Sequence, residues 1–350
     1  MSNVKPNQRV YVGLSGGVDS SVTAWQLLQS GYDVTGVYMQ NWTRDIAGNA
    51  CPWEDDLRSA KSVAAHLGIE LKIYDLQTEY KSQVVEVMVA AYAAGLTPNP
   101  DVLCNQAIKF RLFYDLARAD GADLVATGHY ARLIDGRLAQ ASDQHKDQTY
   151  FLYRMPVDAA QQTRFPLGDL QKSAVRELAT KAGLPTAARP DSMGLCFVGK
   201  VPLRDFLGEF MQLEPGDILD ETGNVLGQHD GAALYTIGQR HGLGVGGGQP
   251  FYVLSKDLHA NTVTVTTQVE QLRRGHYDIG SCVWWSSPAI DQEYLVRIRH
   301  LGELLPCKLE VFPGERWRVK LLGDKHRGVA SGQHAVIYDG AMVLGGGELV

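Results

Sequence analysis

Short apolar runs at Val10 to Leu14, Val34 to Met39, Leu71 to Tyr74 and Leu124 to Thr127 punctuate the first 130 residues, and Ser20 to Gln29 and Asp55 to Leu67 carry apolar residues at helical spacing between them. Strands alternating with helices predict a parallel sheet covered on both faces. Ligands then belong at the carboxyl ends of the strands. A hairpin is expected where Tyr130 to Ile134 and Arg137 to Ala141 flank Asp135-Gly136, a dipeptide that accepts the positive φ of a tight turn. Lys172 to Ala182 predicts a helix stopped by Gly183, with Pro185 beyond it.

Past residue 200 the helical periodicity fades. Alternating segments take over at Phe251 to Leu254, Thr262 to Thr267, Leu295 to Leu301, Trp317 to Leu322 and Ala335 to Tyr338, the last meeting Ala341 to Leu344 across Asp339-Gly340. The expected organisation is an α/β domain over 1–200, a small acidic β-rich domain over 201–272, and a C-terminal β-barrel over 273–350.

Composition narrows the class without naming a chemistry. With 45% hydrophobic and 21% charged residues among 350, the chain is neither disordered nor fibrous. No apolar run approaches the roughly 18 residues of a membrane span. The opening MSNVKPNQRV is too short and polar for a signal peptide, so a cytoplasmic protein with no membrane partner is expected. Five cysteines, Cys51, Cys104, Cys196, Cys282 and Cys307, are too few and too scattered for a disulfide framework or a CxxC metal site, so any chemistry they do is as thiols.

The net charge of -6 disfavours a general nucleic-acid binder until it is divided along the chain. Residues 1–200 hold 20 Lys and Arg against 21 Asp and Glu, 201–280 hold 5 against 10, and 281–350 hold 8 against 8. Local basic faces, and an RNA partner, remain compatible with the total.

The strongest chemical signal follows the first strand. Gly13 and Leu14 lead into Ser15-Gly16-Gly17-Val18-Asp19-Ser20-Ser21 and then a helix. Glycines bring backbone N–H groups close to a ligand, serines add donors, and the helix N-terminus favours an anion. A plain glycine-rich turn with Ser and Asp caps is the competing explanation. No Gly-Lys-Ser/Thr follows, so this is not a Walker A loop.

The string SGGVDSS resembles the pyrophosphate loop (PP-loop) of the N-type ATP pyrophosphatases. Further strings narrow the resemblance: MQNW at Met39 to Trp42, TPNPDVLCNQAIKF at Thr97 to Phe110, ATGHY at Ala126 to Tyr130, KDQTYFLY at Lys146 to Tyr153, DSMGLCF at Asp191 to Phe197, GQRHGLG, and SGQHAVIY near the end. In this order they resemble the tRNA-specific 2-thiouridylases over the whole chain. The resemblance implies a Rossmann-like PP-loop domain of the adenine nucleotide alpha hydrolase type, ATP used with Mg2+ and no protein-held metal, and a loop completed by Met39 and Gly128. It also implies ATP-dependent 2-thiolation of a tRNA wobble uridine, with sulfur from a persulfide donor such as a cysteine desulfurase or a sulfur-relay protein.

Two cysteines acquire roles. From the residues alone, Asp101 is a candidate N-cap that places Cys104 in a first helical turn, where the dipole, Lys109 and Arg111 favour the thiolate. Asp101 opposes that effect, or serves as an acid or base. Cys104 as buried filler is the competing explanation, and Cys196, between two glycines, reads as filler when taken alone. The resemblance implies that Cys196 carries the persulfide and that Cys104 attacks it, leaving a disulfide as sulfur passes to the base. Met193 departs from the family pattern, where Thr is common. Cys51, Cys282 and Cys307 are taken as structural.

For tRNA, the resemblance implies contacts from Asn99, Pro100, Asp101, Lys146, Asp147, Gln148, Arg299 and His300, with Gln333 near the wobble base. Family members often carry an aromatic at the position of His300. His129, at a strand's carboxyl end and outside any metal-ligand spacing, is expected to touch RNA rather than metal. Gly242 to Gly247 fits the letters GxGxxG, but a strand follows instead of a helix, so no dinucleotide site is expected. Arg316, Arg318 and Lys320 alternate with apolar residues, as Arg297 and Arg299 do, which is an ordinary solvated strand face before it is a phosphate contact. Competing functions are an N-type ATP pyrophosphatase adenylating a small molecule, and an RNA-binding adaptor with a regulatory nucleotide loop.

Overall fold

The computed structural model describes residues 8–191, 201–246, 248–314, 316–327 and 330–350. These form two compact units, the first drawn from 8–84, 100–191 and 341–343 and the second from the rest. Cys196 and Met193 lie outside the described residues. No helix of the described residues is long and apolar enough to cross a membrane.

The first unit is built on five parallel strands, β1 (Arg9–Gly13), β2 (Asp33–Gln40), β3 (Glu70–Asp75), β4 (Leu124–Ala126) and β7 (Thr163–Arg164), in the order β3-β2-β1-β4-β7. Strand β1 is central, and Val10, Tyr11 and Val12 are all buried, as expected of a strand covered on both faces. Helices α1 (Val18–Gln29) and α2 (Trp53–Leu67) contribute Ala24, Leu27, Ala60 and Val63 to one core with Val10, Val12 and Tyr38. Val18 and Val22 of α1 face another core with Tyr130, Leu167, Val175 and Leu184. Strand order reverses between β1 and β4, so their carboxyl ends open a crevice of the kind that binds ligands in doubly wound sheets.

The hairpin is shorter than its pattern predicts, with β5 at Arg132–Ile134 and β6 at Arg137–Ala139. Tyr130 is diverted from it, because its N–H donates to Gln148 Oε1 at 2.9 Å and its carbonyl accepts the Gln148 N–H at 2.9 Å. Asp135 and Gly136 have positive φ values of 51° and 75°, as the turn demands. Met342 pairs with Ala139 and so extends the hairpin.

In the second unit, β8 (Gly216–Leu219), β9 (Val225–His229), β10 (Tyr252–Asp257) and β11 (Thr262–Thr266) form one sheet in the order β10-β11-β8-β9, around Ile218, Val253 and Val263. A two-residue ribbon pairs β12 (Arg273–Arg274) with β17 (His326–Arg327). A six-stranded antiparallel barrel runs β13 (His276–Trp284), β16 (Arg316–Leu321), β15 (Leu305–Phe312), β14 (Glu293–Arg297), β18 (His334–Asp339) and β19 (Met342–Leu349), and β13 closes on β19. Closure depends on glycine. A Cβ at Gly345 would lie 2.3 Å from the Val283 carbonyl oxygen, and one at Gly346 2.3 Å from that of Ala335. Apart from 341–343, the central and C-terminal segments fall within one compact unit, which also takes in 85–99.

Strand β14 stops at Arg297 rather than reaching Leu301, whose φ is 53°. Arg297 is buried with its guanidinium 5.5 Å from the centre of the Tyr338 ring, so it does not join an exposed basic face. The barrel core holds Ile279, Val296, Leu309, Val319 and Ile337 in contact. Ile279→Ala should therefore lower stability by about 2–5 kcal/mol in a denaturant titration. A loss below about 1 kcal/mol would show that the site collapses freely and the barrel is not packed there.

Candidate nucleotide and thiol site

The loop after β1 is fixed from several sides. The Ser15 N–H donates to Ser20 Oγ at 3.2 Å, while the Ser20 and Ser21 hydroxyls donate to the Gly17 carbonyl at 3.1 and 2.8 Å. Gly16, with φ +79°, presents its carbonyl to Ser59 Oγ at 2.8 Å and Arg189 Nη1 at 2.9 Å. A Cβ there would come within 2.4 Å of the Asp56 carbonyl oxygen. Gly17 is the N-cap of α1, and no side chain caps the helix. The serines that the sequence offers as caps bond to the carbonyl of the loop instead, which leaves the first-turn amides to an anion.

Met39 and Gly128 stand beside this loop. A Cβ on Gly13 would be 3.0 Å from Met39 Cε, and one on Gly128 would be 2.7 Å from the Ser20 nitrogen. Gly128 thus lets the end of β4 pack directly on the first turn of α1.

Asp19 does not face the loop as an unengaged carboxylate. Lys172 Nζ donates to both of its oxygens at 2.7 and 2.8 Å, and the Tyr130 hydroxyl donates to it at 2.9 Å. Lys172 also lies 2.9 Å from Asp191, which takes Lys146 Nζ at 2.9 Å and Arg176 Nη2 at 2.5 Å. Burial alone would raise the Asp191 carboxyl, but hydrogen bonds from Lys146 and Lys172 outweigh it and hold the group at about 2. Arg189 is paired with Asp56 as well as with Gly16. Nothing in the spacing of Lys172, Arg176, Arg189 or Asp56 marks them beforehand. They come from elements far from the loop in sequence, Asp56 from α2 and Lys172 and Arg176 from one later helix.

Among the described residues no group of three His, Cys, Asp or Glu side chains is placed to hold a metal. Asp19, in the first turn of α1, is paired with Lys172. The donors present fit a Mg2+ carried mainly by phosphate and water oxygens.

Asp101 and Cys104 sit differently from their sequence-based placement. The helix begins at Pro100, so Asp101 is inside its first turn rather than capping it. Cys104 opens the π-helical stretch Cys104–Leu112 in the second turn, fully buried. Proline at the first helical position, where no N–H is needed, starts the helix earlier than a carboxylate cap would. The thiol is thus neither in the first turn, where the dipole would favour the thiolate, nor open to solvent in this conformation. Asp101 is itself pushed above the usual carboxylate range by burial, with Lys109 partly opposing. Arg111 pairs with Asp158 at 3.8 Å and is largely exposed. Cys307 lies in the barrel core, where burial pushes its thiol up to about 12, and Cys51 is half-buried with its Sγ 3.5 Å from the Trp42 carbonyl.

The expected RNA contacts divide. His129 is buried against Phe110 and Phe165, with Nδ1 2.7 Å from the Thr127 hydroxyl and Nε2 3.4 Å from Lys109 Nζ. Burial, then Lys109, pushes it well below its ordinary value, which favours the neutral ring. Asp147 is fully buried and accepts from the Ala141 N–H at 3.0 Å and the Thr149 hydroxyl at 2.8 Å, which makes it a structural bond of its own turn. Gln148 is tied to Tyr130, and Lys146 to Asp191. In the second unit, Gln333 Nε2 donates to the Thr97 carbonyl at 2.8 Å, fixing the stretch that leads to Asn99. Arg299 is exposed and His300 half-buried.

Models of known families match the chain in three consecutive stretches. These are the tRNA methyl transferase HUP domain over residues 8–200, the tRNA methyl transferase PRC-barrel domain over 204–267 and the aminomethyltransferase beta-barrel domain over 276–349. Similar proteins named tRNA-specific 2-thiouridylase MnmA occur in Ralstonia pickettii, 42% identical over 97% of this chain and 95% of that protein, and in Cupriavidus metallidurans, 41% identical over 97% and 98%. A solved 4-thiouridine synthetase in complex with RNA and bound ATP is 16% identical over 56% of this chain and 46% of that one, with a TM-score of 0.37, too slight a likeness to inform the site.

Gly128→Ala should weaken ATP binding about tenfold or more in calorimetry, because the added methyl displaces the first-turn amides, and unchanged affinity would remove that turn from the nucleotide site. The Asp191 network has a pH signature. Its carboxyl is lowered from 3.8 to about 2, so its stabilisation is complete above about pH 4 and lost as the pH falls toward 2. The stability difference between wild type and Asp191→Asn should shrink across that window in denaturant titrations. A difference constant from neutral pH down to pH 2 would contradict the network.

Proposed function

The chain belongs to the family of the tRNA-specific 2-thiouridylases, and on that basis we propose that it replaces the C2 oxygen of a tRNA wobble uridine with sulfur at the expense of ATP. The observation that carries the nucleotide half is the uncapped start of α1 at the switch point of the sheet, with glycines at 16, 17 and 128 admitting backbone and ligand to close range. Such a cradle holds the leaving pyrophosphate while the uridine O2 attacks the α-phosphate. Residues 13–20 form the cradle, with Met39 and Gly128 alongside.

The sulfur half rests on Cys196, Cys104 and Asp101. A persulfide donor, a cysteine desulfurase or a sulfur-relay protein, loads Cys196. The terminal sulfur attacks C2, AMP leaves with the former C2 oxygen, and the Cys104 thiolate attacks the Cys196 sulfur. A Cys104–Cys196 disulfide results, the thiocarbonyl stays on the base, and an external thiol reductant restores both cysteines. A half-buried carboxyl pushed above the usual carboxylate range suits Asp101 to exchange a proton at the base. Cys104 is buried, and the exchange needs its sulfur within bonding reach of the Cys196 sulfur. Asn99, Pro100, Lys146, Asp147, Gln148, Arg299, His300 and Gln333 are the proposed tRNA-facing set. Among them, Asp147 and Gln333 act through the backbone they hold.

Labelled sulfur separates the two thiols. Cys196→Ser should take up no sulfane sulfur yet bind ATP and tRNA as wild type does. Cys104→Ser should accumulate label on protein and transfer none to tRNA, since a hydroxyl is a far weaker nucleophile at neutral pH. Wild-type thiolation by both variants, read by mass spectrometry of tRNA nucleosides, would overturn the paired-cysteine mechanism.

A further inference from the structure

The second unit contains a cavity of about 480 Å³ whose charged rim the nucleotide and thiol chemistry does not use. Arg273, Arg299, Lys325, His326 and Arg327 line it, against the carboxylates of Glu303 and Asp324, with Leu305, Pro306 and Leu321 in the wall. Two of these cations are set directly against each other. In the β12–β17 ribbon Arg273 is the cross-strand partner of Arg327, and Arg274 that of His326. Like charges opposite one another in a ribbon destabilise it. Arg273 is partly compensated by Glu270 at 3.1 Å, and Arg327 lies 5.4 Å from the centre of the Tyr252 ring. Arg299 and Lys325 are exposed and make no ion pair among the described residues. His326 is held below its ordinary value first by burial and then by Arg299, with Glu303 opposing and Arg327 and Arg273 adding to the lowering.

The neighbouring basic strand face is different in kind. Arg318 donates to Asp278 at 2.6 and 2.9 Å, and Lys320 lies 3.7 Å from Glu310. Those charges are already answered within the protein.

We propose that the Arg273–Arg299–Lys325–Arg327 cleft binds phosphodiester groups of an RNA backbone, a site that extends the tRNA contact beyond Arg299 and rests on the function proposed above. Exposed cations around a partly apolar wall suit a passing ribose-phosphate chain. A small free anion is held instead by converging buried donors. The contact carries no base specificity and shows itself through counterion release.

The test measures Kd for unmodified tRNA against salt for wild type, Lys325→Gln, Arg273→Gln/Arg327→Gln and, as a control, Lys320→Gln. Neutralising a cleft cation should weaken binding severalfold at low salt and reduce the log–log salt slope by about 0.7–1 per charge, while Lys320→Gln keeps the wild-type slope. Lys325 projects into solvent, so Lys325→Gln is read free of folding effects, and Arg273→Lys/Arg327→Lys should restore the slope in the ribbon. Wild-type Kd and slope in all cleft variants, with wild type binding tRNA normally, would overturn the cleft and leave the thiolation proposal standing. Failure of the wild type to bind tRNA would overturn both. Saturable binding of inorganic phosphate or AMP, abolished by the cleft variants while their tRNA binding is unchanged, would reassign the cleft to a small anion and overturn the RNA proposal.

Discussion

The first turn of the helix after β1 begins without a side-chain cap, and much of the first unit is arranged around that unsatisfied backbone. A carbonyl-rich or alkyl neighbour would cover the amides. Instead Ser20 and Ser21 turn inward onto Gly17, Ser59 and Arg189 hold the Gly16 carbonyl, and Gly128 brings β4 within a few ångströms of Ser20 without filling the space. Polar groups in a partly buried place are costly when unpaired, and the Gly16 and Gly17 carbonyls and the Ser15, Ser20 and Ser21 hydroxyls of the loop are engaged. The sheet supplies the location, because only where strand order reverses do two adjacent carboxyl ends leave a crevice.

Charge compensation is the second organising feature. Lys172 spans Asp19 and Asp191, and Asp191 gathers Lys146 and Arg176 besides. These groups are partly buried, where ion pairs keep more of their Coulomb attraction than on an open surface and where removing one partner strands the other. The first-turn carboxylate of α1 is thereby paired within the protein, so an anion at the helix start would not meet an unpaired Asp19.

In the second unit the same reasoning separates surfaces that look alike in sequence. Arg316, Arg318 and Lys320 form the more conspicuous alternation, yet Arg318 and Lys320 have carboxylate partners one strand away. Arg273, Lys325 and Arg327 are inconspicuous in sequence, and pairing of β12 with β17 sets them around one cavity.

The sequence by itself determined the alternating parallel architecture, the barrel's strand pattern and the phosphate loop, since each depends on local periodicity or on glycine and serine at fixed spacing within a few residues. Tyr130 shows the limit of that reading, since its apolar pattern extends the hairpin while its backbone is bonded to Gln148. Cys104 shows it again. Its neighbours predict a helix, but only packing decided that the thiol is buried in the second turn. The same holds for His129, Asp147 and Arg297, polar residues whose burial no local pattern marks and the fold decided. Which charges meet was decided by tertiary structure alone, because Lys172 and Asp19 are separated by |i−j| = 153 and no local periodicity constrains a contact closed over that length of chain.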